Sequence, residues 1–154
     1  MVKYTANGVP SEDDEEQVLA NFCDAAGWMH THFSNETYTT SWKQKQKMKK
    51  LGVHSGLPDH LVLVPTTAGL VPVYIEMKRR KGGVVSDTQF KWIKALKEAG
   101  QHVAVCEGNE EAIEFLNAVH TANPKIIWKY AEKFDEKYEK WIKKQEKKKN
   151  DCPF

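Results

Sequence analysis

The spacing of apolar positions changes period several times along the chain, and each change marks an element. Val18, Leu19, Phe22, Cys23 and Ala26 recur at helical spacing. Ser11 caps this helix, acids fill its first turn, where the helix dipole favours negative charge, and Gly27 stops it. Met1–Pro10 reads as a loose leader, and Trp28–Phe33 as a short strand. The stretch from Ser34 to Gly56 is polar and lysine-rich and predicts a helix around Ser41–Leu51 between loops. Leu61–Val64 and Val73–Met77 alternate as strands, joined by a turn at Thr66-Thr67-Ala68-Gly69. Lys81-Gly82-Gly83 breaks the chain, and Ser86 then caps a helix carrying Phe90, Ile93, Leu96 and Lys97, ended by Gly100. Val103–Cys106 is a short apolar strand. Asn109 is the expected cap of a helix through Ile113, Leu116 and Val119, and Pro124 lies just ahead of a long charged helix, about Lys125 to Lys149.

This order predicts an α/β fold with a small mixed sheet and helices on its faces. The strand at Val103 follows a helix, so it should run parallel to an earlier strand. There is no internal repeat. The expected organisation is a leader at 1–10, a core domain at 11–120 and a charged helical extension at 121–154.

The hairpin concentrates chemistry. A turn centred between Thr67 and Ala68 places Asp59 of Gly56-Leu57-Pro58-Asp59 opposite Glu76. Alternation puts Glu76 and Lys78 on one face, with Val73, Ile75 and Met77 on the other. Clustered charges at a sheet are costly unless a ligand or partner compensates them. Two carboxylates are the ligands that hard cations prefer, and such an ion supplies much of what phosphodiester hydrolysis requires. Asp59 and Glu76 are therefore the expected ligands of Mg²⁺ or Mn²⁺, with the backbone carbonyl of Met77 as a third. Lys78 would orient or activate the attacking water and stabilise developing charge. Taken singly, Pro-Asp and Glu-x-Lys are common pairings, and a solvated strand face would explain them equally.

The chain has 154 residues, 40% of them apolar, enough for one buried core. Its net charge of +2 hides an asymmetry: acids from Glu12 to Glu16, and lysines from Lys43 to Lys50 and again from Lys125 to Lys149. Charge separated in this way suits a polyanionic partner. Three cysteines without CxxC spacing argue against a disulfide framework or a thiolate zinc site, and for a reducing, cytoplasmic compartment. No signal-like segment opens the sequence, and no apolar run reaches membrane-spanning length.

Several segments together resemble the PD-(D/E)XK nuclease superfamily, and more closely its VRR-NUC branch in the phage-type, stand-alone form. Glu15-Glu16-Gln17 resembles the opening Glu-x-Gln of that family. His32-Phe33-Ser34-Asn35 resembles its His-x-Pro-Asn, with Ser34 in place of the usual proline. A basic helix follows, then Leu51-Gly52-Val53-His54-Ser55-Gly56-Leu57-Pro58-Asp59, Glu76-Met77-Lys78, Ser86-Asp87-Thr88-Gln89 and Gly100-Gln101-His102-Val103. The match runs from about Glu12 to Leu116, and its specificity lies in the ordered set. The resemblance implies a restriction-endonuclease-like core, with Asp59, Glu76 and Lys78 as metal and catalytic residues. It implies that Gln89 supports the site through a hydrogen bond and that an acid of the first helix, Glu15 or Glu16, completes the metal environment. It also implies structured DNA, such as branched or flapped duplex, as substrate, a role in replication and repair, and a homodimer.

Lys43, Lys47 and Lys50 share a helical face suited to phosphate contacts, and Arg79, Arg80 and Lys81 extend the basic surface. Trp42 either packs or stacks on a base. His30 and His32 stand two apart, but no further histidine or cysteine has metal-binding spacing; His54 and His60 flank Asp59 and are expected to meet solvent or backbone. The stripe Ile127, Tyr130, Phe134, Tyr138 and Trp141 packs on the domain or on a second copy of it. The expected activity is divalent-metal-dependent DNA cleavage. The rivals are a non-catalytic DNA-binding module of the same fold and an interaction domain whose tail docks a partner.

Overall fold

Alternating burial along the two hairpin strands sets the architecture, because both faces of the sheet must be covered. The computed structural model describes residues 8–33 and 41–151. Most of the expected leader, Ser34 and Asn35 of the His-x-Pro-Asn-like segment, and Cys152 lie outside the described residues. The elements are α1 (Glu12–Ala26), β1 (His30–His32), α2 (Trp42–Lys50), β2 (His60–Thr66), β3 (Gly69–Lys78), α3 (Asp87–Glu98), β4 (His102–Glu107), α4 (Asn109–His120) and α5 (Pro124–Asn150).

The four strands lie in the order β1-β2-β3-β4. β1 and β2 pair antiparallel, as do β2 and β3, while β4 runs parallel to β3. Pro72 is tolerated within the central strand because β4 begins pairing only at Val73. Val62, Val64, Val73, Ile75 and Met77 pack against Leu19 and Cys23 of α1 and Phe115, Leu116 and Val119 of α4. On the other face, Val103 and Val105 meet Phe90 and Ile93 of α3 and Phe134 of α5. The result is a mixed sheet between two helical layers.

The helix ends follow local rules. The Ser11 hydroxyl accepts from the Asp14 amide, and Gly27 closes α1 in the left-handed conformation at φ 71°. Several boundaries differ from the sequence expectation: the hairpin strands expected at Leu61–Val64 and Val73–Met77 extend to His60–Thr66 and Gly69–Lys78. The strand around Trp28–Phe33 contracts to His30–His32. Asn109 does not cap α4: Gly108 holds that position without a side-chain bond, and the Asn109 amide donates to Glu15 instead. A buried carboxylate 94 positions away in sequence wins over the local cap.

The aromatic stripe of α5 packs on its own domain. Tyr130 is buried in one core and Phe134 in the other, so the helix closes the β4 side of the sheet. Phe90, Phe134, Tyr138 and Trp141 form an aromatic stack, with the Phe90 and Trp141 ring centroids 5.2 Å apart, and the Trp141 indole donates to Asp87 at 2.6 Å. Phe134→Ala is expected to destabilise the fold by about 3–5 kcal/mol in urea denaturation. A loss below about 1 kcal/mol would mean that α5 is an appendage rather than a wall of the core.

Candidate active site

The hairpin register carries Asp59 to Glu76. His60 pairs with Ile75 and Thr66 with Gly69, so the residue before β2 falls opposite Glu76. The Met77 amide donates to Asp59 Oδ2 at 3.3 Å. Glu76 is 0% exposed. Its Oε1 accepts from Lys78 Nζ at 2.6 Å and from Gln89 Nε2 at 2.5 Å. Its Oε2 is buried without a hydrogen-bond partner.

Gln89 is aimed by the start of α3. Its Oε1 accepts from the Ser86 amide at 2.9 Å while the Ser86 hydroxyl accepts from the Gln89 amide at 3.2 Å. This capping box uses the amide oxygen and leaves the nitrogen for Glu76. Gly56 seats the preceding loop against the same turn. It sits at φ 105°, and a Cβ there would come within 2.7 Å of the Thr88 backbone.

Two carboxyl groups close together, Glu76 buried and Asp59 half-buried, are electrostatically strained. Burial raises the Asp59 carboxyl; Lys78 pulls it back and the charge of Glu16 pushes it up again. Burial, then the neighbouring Asp59, pushes Glu76 up to about 7, against the opposing pull of Lys78. A divalent cation offsets this strain, and the orphaned Oε2 is a ready oxygen ligand. The donor set is therefore one that a hard cation fits: carboxylate oxygens with the Met77 carbonyl close by in sequence.

The two acids of α1 have different surroundings. Glu15 accepts from Arg80 Nε at 2.5 Å, from the Asn109 backbone at 2.8 Å and from the Asn109 side chain. Burial alone would raise its carboxyl, but Arg80 and Asn109 reverse that and hold it below the ordinary range. Glu15 thus ties α1 to the end of β3 and the start of α4. Arg80, expected on the DNA face, is engaged by Glu15 and by Glu110 at 3.2 Å. Glu16 is the acid whose charge reaches Asp59, and His60 chiefly keeps its carboxyl low.

On the basic side, Lys43, Lys47 and Lys50 are exposed on α2, which carries no acidic residue. Trp42 is 72% exposed, so it does not pack into the core. Arg79 is exposed and lies 3.4 Å from Glu12. One grouping escaped the sequence reading: His32 and His60 are cross-strand partners, and both face Glu16. Spacing along the chain gives no hint of it, because β1 and β2 are separated by a long insert.

The family model for the VRR-NUC domain matches residues 12–110. The chain belongs to the VRR-NUC family. Its domain is of the nuclease type with a restriction-endonuclease-like fold. A solved structure described as "VRR_NUC domain protein" superposes with a TM-score of 0.53 at 20% identity, over 69% of this chain and 84% of that one. At that identity the likeness supports the fold. No curated protein matches. The VRR-NUC match ends just inside α4, so most of α4 and all of α5 lie beyond it.

The raised Glu76 carboxyl has a pH consequence. The metal-free folded protein retains a proton that the unfolded chain, with an ordinary carboxyl near 4.5, releases. The stability contributed by this group therefore falls as pH rises from about 4.5 to about 7. Thermal melting in EDTA should show that decline for wild type and a much flatter profile for Glu76→Gln. Identical slopes would mean that Glu76 is not the titrating group.

Proposed function

We propose that this VRR-NUC protein is a Mg²⁺- or Mn²⁺-dependent DNA endonuclease that acts on branched or otherwise structured duplex. The observation that carries the reading is the Glu76 carboxylate, sealed in the sheet beside Asp59 with one oxygen unpartnered and the other bonded to Lys78 and Gln89. Asp59, Glu76 and the Met77 carbonyl would hold the ion, without Glu15, which is engaged by Arg80 and Asn109. When bound, the ion supplies Lewis-acid stabilisation of the phosphoryl oxygens and lowers the pKa of a coordinated water.

The chain's own residues do the rest. Lys78 holds Glu76, and its ammonium group would orient the attacking water and stabilise the charge developing on the phosphate. Gln89 fixes the Glu76 carboxylate through an amide whose other end is pinned by the helix cap. The exposed lysines of α2, with Arg79, form the phosphate-contacting face; Arg80 leaves that group for its structural pair with Glu15. Contacts to backbone phosphates position DNA without reading sequence, consistent with a preference for shape. The family resemblance supports a homodimer that brings two sites to two strands. Cys23 and Cys106 are buried free thiols, which supports an intracellular setting. Among the described residues no helix is long and apolar enough to cross a membrane.

Cleavage of branched DNA should require Mg²⁺ or Mn²⁺ and stop with EDTA. Asp59→Ala and Glu76→Ala should each lose about 10²-fold or more in rate. Lys78→Ala should keep calorimetric metal binding and lose turnover. Binding of DNA without cleavage under all metal conditions would instead identify a non-catalytic module. Reversing Lys43, Lys47 and Lys50 to Glu should weaken DNA binding and reduce the slope of log K against log salt by up to about 3. An unchanged slope would remove α2 from the interface.

A further inference from the structure

On the opposite side of the same strand ends, the structure assigns a second metal site, one for a borderline ion such as Zn²⁺ held by Glu16, His32 and His60. His60 pairs with Ile75, so its ring points to the α1 face of the sheet, while Glu76 points to α3. His32 is the cross-strand partner of His60, and the two imidazoles stack with centroids 4.7 Å apart. Glu16 reaches down from α1 with Oε2 3.6 Å from His32 Nε2 and Oε1 3.9 Å from His60 Nε2. One ligand atom from each of the three lies within 4.8 Å of the others.

The independent sign is His60 itself. The residue is 4% exposed, and its Nε2 is buried with no hydrogen-bond partner. Distances of 3.6 and 3.9 Å to Glu16 are too long for hydrogen bonds. Ligand atoms around a tetrahedral zinc stand about 3.4 Å apart, given bonds near 2.1 Å, so small side-chain rotations bring this set to coordination distance. His30, two residues before His32, is taken by Asp24 at 2.7 Å and stands outside the set.

The chemistry separates this site from the nuclease pair. Two imidazoles and one carboxylate favour zinc-type ions over Mg²⁺, which prefers oxygen alone. A carboxylate between the imidazoles also disfavours an anion such as phosphate. An open cavity of about 310 Å³ borders Glu16, His32 and His60 and leaves room for a water as the fourth ligand. An ion here would clip the three-residue edge strand β1 to β2 and to α1, and so brace the end of the hairpin from which Asp59 projects.

Co²⁺ is the probe, because its visible absorption reports imidazole ligation and tetrahedral geometry directly. The full-length wild-type protein, stripped with EDTA, should develop that absorption on Co²⁺ titration, and Zn²⁺ should displace it and raise the melting temperature. His32→Ala, at a half-exposed position, should weaken Co²⁺ binding at least 10-fold and abolish the thermal shift. Glu76→Gln should leave both intact. The proposal is overturned if wild type shows no tetrahedral spectrum, if His32→Ala binds as tightly as wild type, or if Glu76→Gln removes the signal. The last result would place the ion at the nuclease pair. A wild-type protein that shows the Co²⁺ spectrum but cleaves no DNA with Mg²⁺ or Mn²⁺ would instead count against the nuclease reading alone.

Discussion

A carboxylate near the end of a central strand, removed from water and next to a second carboxylate, is the constraint around which this protein is arranged. Glu76 has no exposed surface, and burial together with Asp59 disfavours its charge. The fold accommodates it with an ammonium group and a side-chain amide on a single oxygen. Hydrophobic strands on both sides fix the hairpin register, so the two acids cannot slip past each other without exposing Val73, Ile75 and Met77. The same apolar packing that stabilises the sheet therefore maintains the electrostatic strain at its end.

Adjacent acids on α1 show how context divides labour. Glu15 and Glu16 both lie near the inward stripe, but Arg80 and two donors of Asn109 surround the first. That arrangement closes a triangle between α1, the end of β3 and α4, with Arg80 paired to Glu15 and Glu110. Glu16 is left facing the imidazoles and within electrostatic reach of Asp59. One residue of helical rotation separates a structural ion pair from a candidate ligand.

What the sequence disclosed follows from how local its signals are. The hairpin register was legible because a short turn and period-two alternation fix it without tertiary information, and Ser11 and Ser86 announced their helices by capping chemistry alone. The parallel placement of β4 followed from connection rules. The choice between Glu15 and Glu16 was not legible, since Arg80 and Asn109 arrive from 65 and 94 positions away. The His32–His60 pair was hidden for a similar reason: it exists only once β1 docks on β2 across a long insert. For α5 the aromatic spacing was plain, but whether it covered its own domain or another copy depended on the exposed side of β4.

The claim that Asp59 and Glu76 share a divalent ion is tested most directly by anomalous diffraction from crystals soaked in Mn²⁺. The account predicts a peak between the two carboxylates, within about 2–2.5 Å of an oxygen from each and close to the Met77 carbonyl. A well-ordered site without a peak there, with Mn²⁺ bound only elsewhere on the protein, would contradict it.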